Sequence, residues 1–358
     1  MYLGPAFPPL SLLGLLFKGG AVATAVPHSQ VSVVIPVYNG EKTIESCVRH
    51  VQDQSLKPFE VIVMDDCSAD MTPVKLGELS RRHPNMVVLR NSENLGKAAS
   101  VNAALTHVGS PITAIVDSDT YLDGDYLRNT LSVLNGDGTV GASGMVLPSD
   151  VDGGVSRSRF VEYLHGQSTY KGIQSRLGAT FVSPGCCSVW RTDWIKRNGV
   201  PEETVVEDMD LTWEAQIDGG RIAFNPKALA FTEEPGSLGA YVGQLRRWFS
   251  WRPVLEKHRD ELSNGLKVLV SWMLAESVGY LFWLGVMLYL LFSGRFVLAF
   301  IMFLGDLVLV SLISLYQCRR IGFPLSKVLV SIPYYYALRI PTALVFWGSF
   351  LFPKRKGW

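Results

Sequence analysis

Neither sign of charge prevails in this chain: 33 Lys and Arg stand against 32 Asp and Glu over 358 residues. A near-neutral balance excludes a nucleic-acid binder, which needs clustered basic charge. Cysteine is scarce and poorly spaced for pairing. Cys47, Cys67, Cys186, Cys187 and Cys318 form an odd set with no CxxC, so neither a disulfide framework nor a zinc site is indicated, and a reducing cytosolic side fits best. No GxGxxG follows the first apolar run, which argues against a dinucleotide-binding dehydrogenase. No internal repeat or low-complexity tract interrupts the chain.

What the chain has in abundance is apolar sequence, unevenly placed. Hydrophobic residues make up 48 % and charged residues 18 %, and everything beyond residue 266 is overwhelmingly apolar. Tyr2 to Phe17 is also apolar, but it holds prolines and ends at Lys18-Gly19-Gly20, which predicts a membrane-contacting or weakly spanning segment. A secretory signal is the competing reading, weakened by the missing basic n-region.

From Val31 apolar runs alternate with helix-like stretches. Val31 to Pro36, Phe59 to Met64, Met86 to Leu89 and Ile112 to Val116 read as strands, with a helix between Lys42 and Gln54. Continuous apolar strands between helices predict an α/β fold with a parallel sheet covered on both faces, whose ligands bind outside the carboxyl ends of the strands. Asp65-Asp66 and Asp117-Ser118-Asp119 sit at two of those ends.

Two readings fit each acidic cluster. Asp117 and Asp119 suit a hard divalent ion, Mg2+ or Mn2+, that also binds diphosphate oxygens, or they close a turn. Asp65 and Asp66 suit acceptance from a base imide or ribose hydroxyls, or a capping turn. Lys97, after Asn94-Leu95-Gly96, reaches a base or diphosphate, or is a solvated helix-start lysine. Glu207-Asp208 opens an amphipathic pattern, where a carboxylate is either a cap or a general base. Gln244-Leu245-Arg246-Arg247-Trp248 places Gln244 on the face of Arg247 and Trp248; Arg247 offers a planar fork for diphosphate and Trp248 a flat apolar face for a sugar ring. The same stretch, through Phe249-Ser250-Trp251-Arg252, also has the content of an interfacial helix.

In their order these residues resemble the membrane-integrated family-2 glycosyltransferases, the group of cellulose, chitin, hyaluronan and poly-N-acetylglucosamine synthases. The resemblance covers residues 31–258 and rests on Val34-Ile35-Pro36-Val37-Tyr38-Asn39, Asp65-Asp66, Asn94 to Lys97, Asp117 to Asp119, Pro184-Gly185-Cys186-Cys187-Ser188, Glu207 to Leu211 and the pentad. It implies a glycosyltransferase-A (nucleotide-diphospho-sugar transferase) fold with C-terminal transmembrane helices, a UDP-sugar donor, a divalent metal and inversion to a β-linkage. By the same resemblance Asp208 is the base with Glu207 beside it. Pro36, Tyr38, Asp65, Asp66, Lys97, Asp117, Gln244, Arg247 and Trp248 hold the donor; Asp117 and Asp119 hold the metal; Gly185, Cys186 and Trp248 face the acceptor. Val206 stands where the family usually has threonine, and Phe249-Ser250-Trp251 replaces a glycine-containing turn, which puts processivity in doubt.

Four regions follow: an apolar segment at 1–28, a cytosolic catalytic domain at 29–235, an amphipathic interfacial segment at 236–265 and a transmembrane region at 266–358. Leu266 to Phe292 and Phe296 to Tyr316 form a hairpin whose flanking Lys257, Arg259, Lys267, Arg319, Arg320 and Lys327 place both ends in the cytosol. Val328 to Phe352 holds Pro333, Arg339 and Pro341 and reads as a span, a kinked helix or a re-entrant one, with Lys354-Arg355-Lys356 favouring a cytosolic end. Glu276 and Asp306 inside the hairpin mark either a polar translocation path or helix pairing. The expected partners are a UDP-sugar, a glycan or lipid-linked acceptor and the bilayer, with a homo-oligomer relieving the small number of spans. The leading reading is extension of a β-linked polysaccharide with N-acetylglucosamine or glucose. Single transfer to a lipid or polyprenyl-phosphate carrier is the runner-up, and a non-catalytic membrane scaffold is the rival from another class.

Overall fold

The structure, a computed structural model, describes residues 31–136 and 138–354. The predicted segment at 1–28 and the basic residues Arg355 and Lys356 lie outside the described residues. Eight strands, β1 (Val31–Val37), β2 (Glu60–Asp65), β3 (Met86–Arg90), β4 (Ile112–Val116), β5 (Thr120–Leu122), β6 (Thr139–Pro148), β7 (Cys187–Arg191) and β8 (Arg221–Thr232), join in one sheet in the order β3-β2-β1-β4-β7-β6-β8-β5. The helices are α1 (Ile44–Gln52), α2 (Thr72–Arg82), α3 (Lys97–Leu105), α4 (Tyr126–Leu134), α5 (Gly154–His165), α6 (Gly172–Leu177), α7 (Thr192–Asn198), α8 (Glu207–Ile217), α9 (Leu238–Trp248), α10 (Arg252–His258), α11 (Asn264–Phe292), α12 (Phe296–Arg320) and α13 (Leu325–Leu351). A π-helical turn over Gly166–Lys171 links α5 to α6.

The run Val31–Val37 is buried along its whole length, as an apolar, mostly β-branched strand between two parallel neighbours must be. The sheet is parallel from β3 through β4, and β6 and β8 are parallel to each other as well. β7 runs antiparallel to both β4 and β6, and β5 antiparallel to β8, so the expectation of a parallel sheet is corrected at these two strands. Apolar runs report burial and not strand direction, which is why the change of direction leaves no mark in composition. A side chain at Gly144 would stand 2.1 Å from the Ala228 carbonyl oxygen, so the β6 to β8 pairing there requires glycine.

Chain order reverses between β1 and β4, which opens a crevice at the strand ends. The loops leaving β1 and β2 lock together there. Asn39 and Cys67 both adopt left-handed backbone, at φ 51° and 61°. The Asn39 amide donates to Ser68 Oγ at 2.9 Å, and Asn39 Oδ1 accepts from the Ala69 amide at 2.9 Å.

At the C-terminal end, three helices are long and apolar enough to cross a membrane: α11, α12 and α13. Glu276 accepts from the Tyr170 hydroxyl at 3.0 Å, while Asp306 is ion-paired with Arg339 and accepts from the Tyr336 hydroxyl at 2.7 Å. These partners match the pairing reading of both acids rather than a translocation path. Within the segment expected to be interfacial, 236–265, two aromatic rings pack against protein. Trp251 and Phe249 are buried in protein, with Trp251 centred 5.4 Å from Phe181, 6.5 Å from Trp213 and 4.9 Å from Phe350, and Phe249 centred 5.3 Å from Phe346.

Candidate active site

A cleft of ≈ 420 Å³ lies at the carboxyl ends of β1, β2 and β4, and it gathers side chains from across the chain. Pro36 and Tyr38 arrive from the end of β1, Asp66 from the loop after β2, Lys97 from the first turn of α3, and Asp117 with Asp119 from the turn after β4. Gly185 and Cys186 come from the segment before β7, Glu207 and Asp208 from the first turn of α8, and Gln244, Arg247 and Trp248 from α9.

Asp65 is not among the lining residues. Its side chain is buried away from the cleft, accepts from the Ser68 amide at 2.9 Å and is ion-paired with Arg90. The predicted donor contact is corrected here, because successive residues of a strand face opposite ways and only one of the two aspartates can point into the crevice. Asp66 does face it, but its oxygens are engaged: they accept from Asn91 Nδ2 at 2.8 Å and from the Leu95 and Gly96 amides at 2.9 and 2.8 Å. Asp66 thereby shapes the loop that presents Lys97. Gly96 completes that loop at φ 91°, a conformation that L side chains resist.

Lys97 is the electrostatic centre. Its Nζ lies 2.6 Å from Asp117 Oδ1, 3.5 Å from Glu207 Oε1 and 3.2 Å from the Gly185 carbonyl oxygen. Burial works against its charge, yet Asp117, Glu207 and Asp208 together hold the ammonium above the usual lysine range. Asp119 is pushed up to about 6 by burial and the charge of Asp117, an effect that Lys97 partly offsets. Burial also raises Glu207, against the pull of Lys97 and Arg247. Asp117, paired with Lys97, and Asp119, raised by burial beside it, together form a donor set of hard oxygens that fits a divalent cation.

Asp208 is held by backbone: Oδ2 accepts from the Gly185 amide at 3.1 Å and Oδ1 from the Met209 amide at 2.8 Å. Gly185 fits closely, since a Cβ there would stand 3.1 Å from Asp208 Cβ and 3.2 Å from Lys97 Nζ. A further cation, Lys171, is buried without a hydrogen-bond partner among the described residues, and burial brings it down to about 8.

Sequence reasoning missed a second layer. Arg159 of α5 is fully buried and holds the pentad from behind. Its Nη2 donates to Gln244 Oε1 at 2.8 Å, its Nη1 to Glu162 Oε1 at 2.9 Å, and its Nε lies 3.3 Å from Glu234 Oε2. The guanidinium stands 4.6 Å from the centre of the Trp248 ring. Tyr163, Gln167 and Glu233 also line the cleft without having been singled out. The one available signal was Arg159 and Glu162 on either side of the apolar pair Phe160-Val161.

Residues 32–199 match the family described as Glycosyl transferase family 2. The chain is 28 % identical over 266 residues to an N-acetylglucosaminyltransferase of Rhizobium sp. (strain N33), covering 66 % of this chain and 59 % of that protein. It is 26 % identical over 334 residues to the hyaluronan synthase of Streptococcus pyogenes serotype M3, covering 88 % of this chain and 77 % of that one. The chain thus spans little more than half the length of the first of these relatives and about three quarters of the second. Among solved structures it is similar to the mannosyltransferase PcManGT from Pyrobaculum calidifontis, in complex with GDP-Man and Mn2+, with a TM-score of 0.65 at 19 % identity, covering 96 % of this chain and 93 % of that one. The fold is therefore glycosyltransferase-A-like, and residues 32–199, which match the glycosyl transferase family 2 model, are followed by three helices long and apolar enough to cross a membrane.

Proposed function

We propose that the chain is an inverting, metal-dependent membrane glycosyltransferase that moves N-acetylglucosamine or glucose from a UDP-sugar to a growing β-linked polysaccharide, with its catalytic domain in the cytosol. The observation that carries this reading is the meeting of Asp117, Asp119, Glu207 and Asp208 with Lys97 and Arg247 on one cleft. The names of two relatives, an N-acetylglucosaminyltransferase and a hyaluronan synthase, support the sugar class.

Asp208 acts as the base. Its Oδ2 takes the proton of the acceptor hydroxyl while that oxygen forms a bond to the anomeric carbon, and the bond from that carbon to the diphosphate breaks on the opposite face. The nucleoside diphosphate leaves with the electron pair, and configuration inverts. Lys97 and Arg247 offer positive charge to the departing diphosphate, Arg247 through a planar fork. Pro36, Tyr38 and Asp66 bound the nucleotide end, and Gly185, Cys186 and Trp248 the acceptor end. Asp117 and Asp119 would hold Mg2+ or Mn2+, which when bound neutralises diphosphate oxygens; the Mn2+ named with the solved mannosyltransferase agrees with that choice.

Single transfer to a lipid-linked acceptor is favoured by one observation: Tyr163 and Gln167, which line the cleft, belong to the α5 region that packs against α13. Membranes holding the protein, incubated with labelled UDP-N-acetylglucosamine or UDP-glucose and Mn2+, separate the readings by product size. A ladder of long products supports polymerisation, and a single solvent-extractable product supports lipid transfer. Label incorporation unchanged in Asp208→Asn sinks both and revives a scaffold.

A further inference from the structure

We infer that α13, although long and apolar enough to cross a bilayer, does not cross it but lies along the catalytic domain with its outer face against lipid, so that the C-terminal end emerges on the side of the catalytic domain. A helix of this length extends for about 40 Å, against a hydrocarbon core of about 30 Å, so a spanning helix has its two ends on opposite sides. Here residues at both ends are fastened to the sheet domain and the segment that follows it. Just before the helix, the Phe323 ring is centred 6.1 Å from Phe160 of α5 and 6.1 Å from Phe231 of β8. Further along, Arg157 Nη1 donates to the Tyr334 hydroxyl at 3.1 Å, and the Tyr241 and Thr342 hydroxyls lie 2.8 Å apart. At the far end Arg252 Nη1 donates to the Leu351 carbonyl at 2.9 Å, and the Lys354 amide donates to Ser250 Oγ at 2.8 Å.

The hairpin behaves differently. Phe292, Phe296 and Val297, around its tip, are 64–89 % exposed, as befits side chains whose partner is lipid. The outer face of α13 is also apolar, with Leu329, Leu344 and Leu351 exposed, whereas its one buried cation, Arg339, turns to the hairpin, where it pairs with Asp306 of α12 and stands over the Tyr280 ring of α11. An apolar face of this kind, continuous with a lipid-embedded hairpin, belongs in the near leaflet and not in water. Pro333 and Pro341 interrupt the helix's own hydrogen bonds, which lets it bend to follow the domain.

The test uses the full chain in sealed vesicles, with one epitope appended after Trp358 and another inserted at the exposed Pro84 turn between α2 and β3. Protease added outside is expected to remove both epitopes in one vesicle orientation and neither in the other. Removal of only one of the two in a given orientation overturns the inference. A fluorescent amino acid incorporated at Leu344 is expected to be quenched by brominated lipids and spared by aqueous iodide. The reverse pattern overturns the lipid-facing assignment even if the C-terminal side is as inferred.

Discussion

Arg159 and Gln244 meet side chain to side chain at 2.8 Å although 85 positions separate them. The glutamine of the pentad is therefore aimed by a buried guanidinium on another helix, and the same group backs the Trp248 ring. Arg159→Lys keeps the charge but loses the fork that serves Glu162, Glu234 and Gln244 together. A hydrogen bond to a charged group is worth about 1.5–3 kcal/mol, so transfer by Arg159→Lys should fall roughly tenfold or more. Steady-state kinetics with a fixed donor should place the loss in kcat or in acceptor KM while donor binding is retained. Arg159→Met should also destabilise the fold, by about 3–5 kcal/mol, because it leaves buried carboxylates without their cation.

Gly185→Ala places a methyl group 3.1 Å from Asp208 Cβ and 3.2 Å from Lys97 Nζ. The lysine end can move, but the base sits on a helix terminus and cannot withdraw as easily. Transfer should drop by about an order of magnitude or more with little change in melting temperature, since crowding of a positioned base costs rate before it costs stability. Initial rates and thermal melts on the same preparation check this.

Asp119→Asn removes one hard, charged ligand from the end of β4. Mn2+ binding, followed by the loss of the free-ion electron paramagnetic signal, should weaken about tenfold or more, since such sites rest on one or two carboxylates. Unchanged Mn2+ binding in both Asp119→Asn and Asp117→Asn would remove these residues from the metal site. Chelation should abolish transfer by the unaltered protein, and added Mn2+ or Mg2+ should restore it.

Glu234 gives the protein an acid-side stability term. Burial lifts its carboxyl from 4.5 to about 7, with Arg159 opposing the rise. Between those values the folded protein holds a proton that the unfolded chain has released. Stability therefore falls as pH rises from 4.5 to about 7 and gains nothing further from this group above it. The contribution is roughly 3 kcal/mol at most. Thermal melts across that range should show the decline, and Glu234→Gln should flatten it.

The parallel half of the sheet was legible because Val31–Val37 and Ile112–Val116 are apolar throughout, and each delivers its chemistry at a carboxyl end where topology gathers ligands. The side chains that meet in the cleft were legible for the same reason: Lys97, Asp117, Asp119, Glu207 and Asp208 all stand at strand ends or first helical turns. Asp65 was misread because a two-residue acidic pair cannot reveal which member points inward. Arg159 escaped notice because its partners Glu234, Gln244 and Trp248 are remote in sequence, and no local pattern encodes such a contact. For α13 the sequence left the choice open: Pro333, Arg339 and Pro341 within an apolar stretch suit a span, a kinked helix or a re-entrant one alike.

The aromatic group around Trp251 couples parts of the molecule that do different jobs. Phe181 precedes the acceptor segment, Trp213 belongs to the helix that carries Asp208, Trp251 follows the pentad, and Phe350 closes α13. With these rings in mutual contact, the seating of α13 on the sheet domain and the placement of α8, which carries Asp208, depend on the same packing.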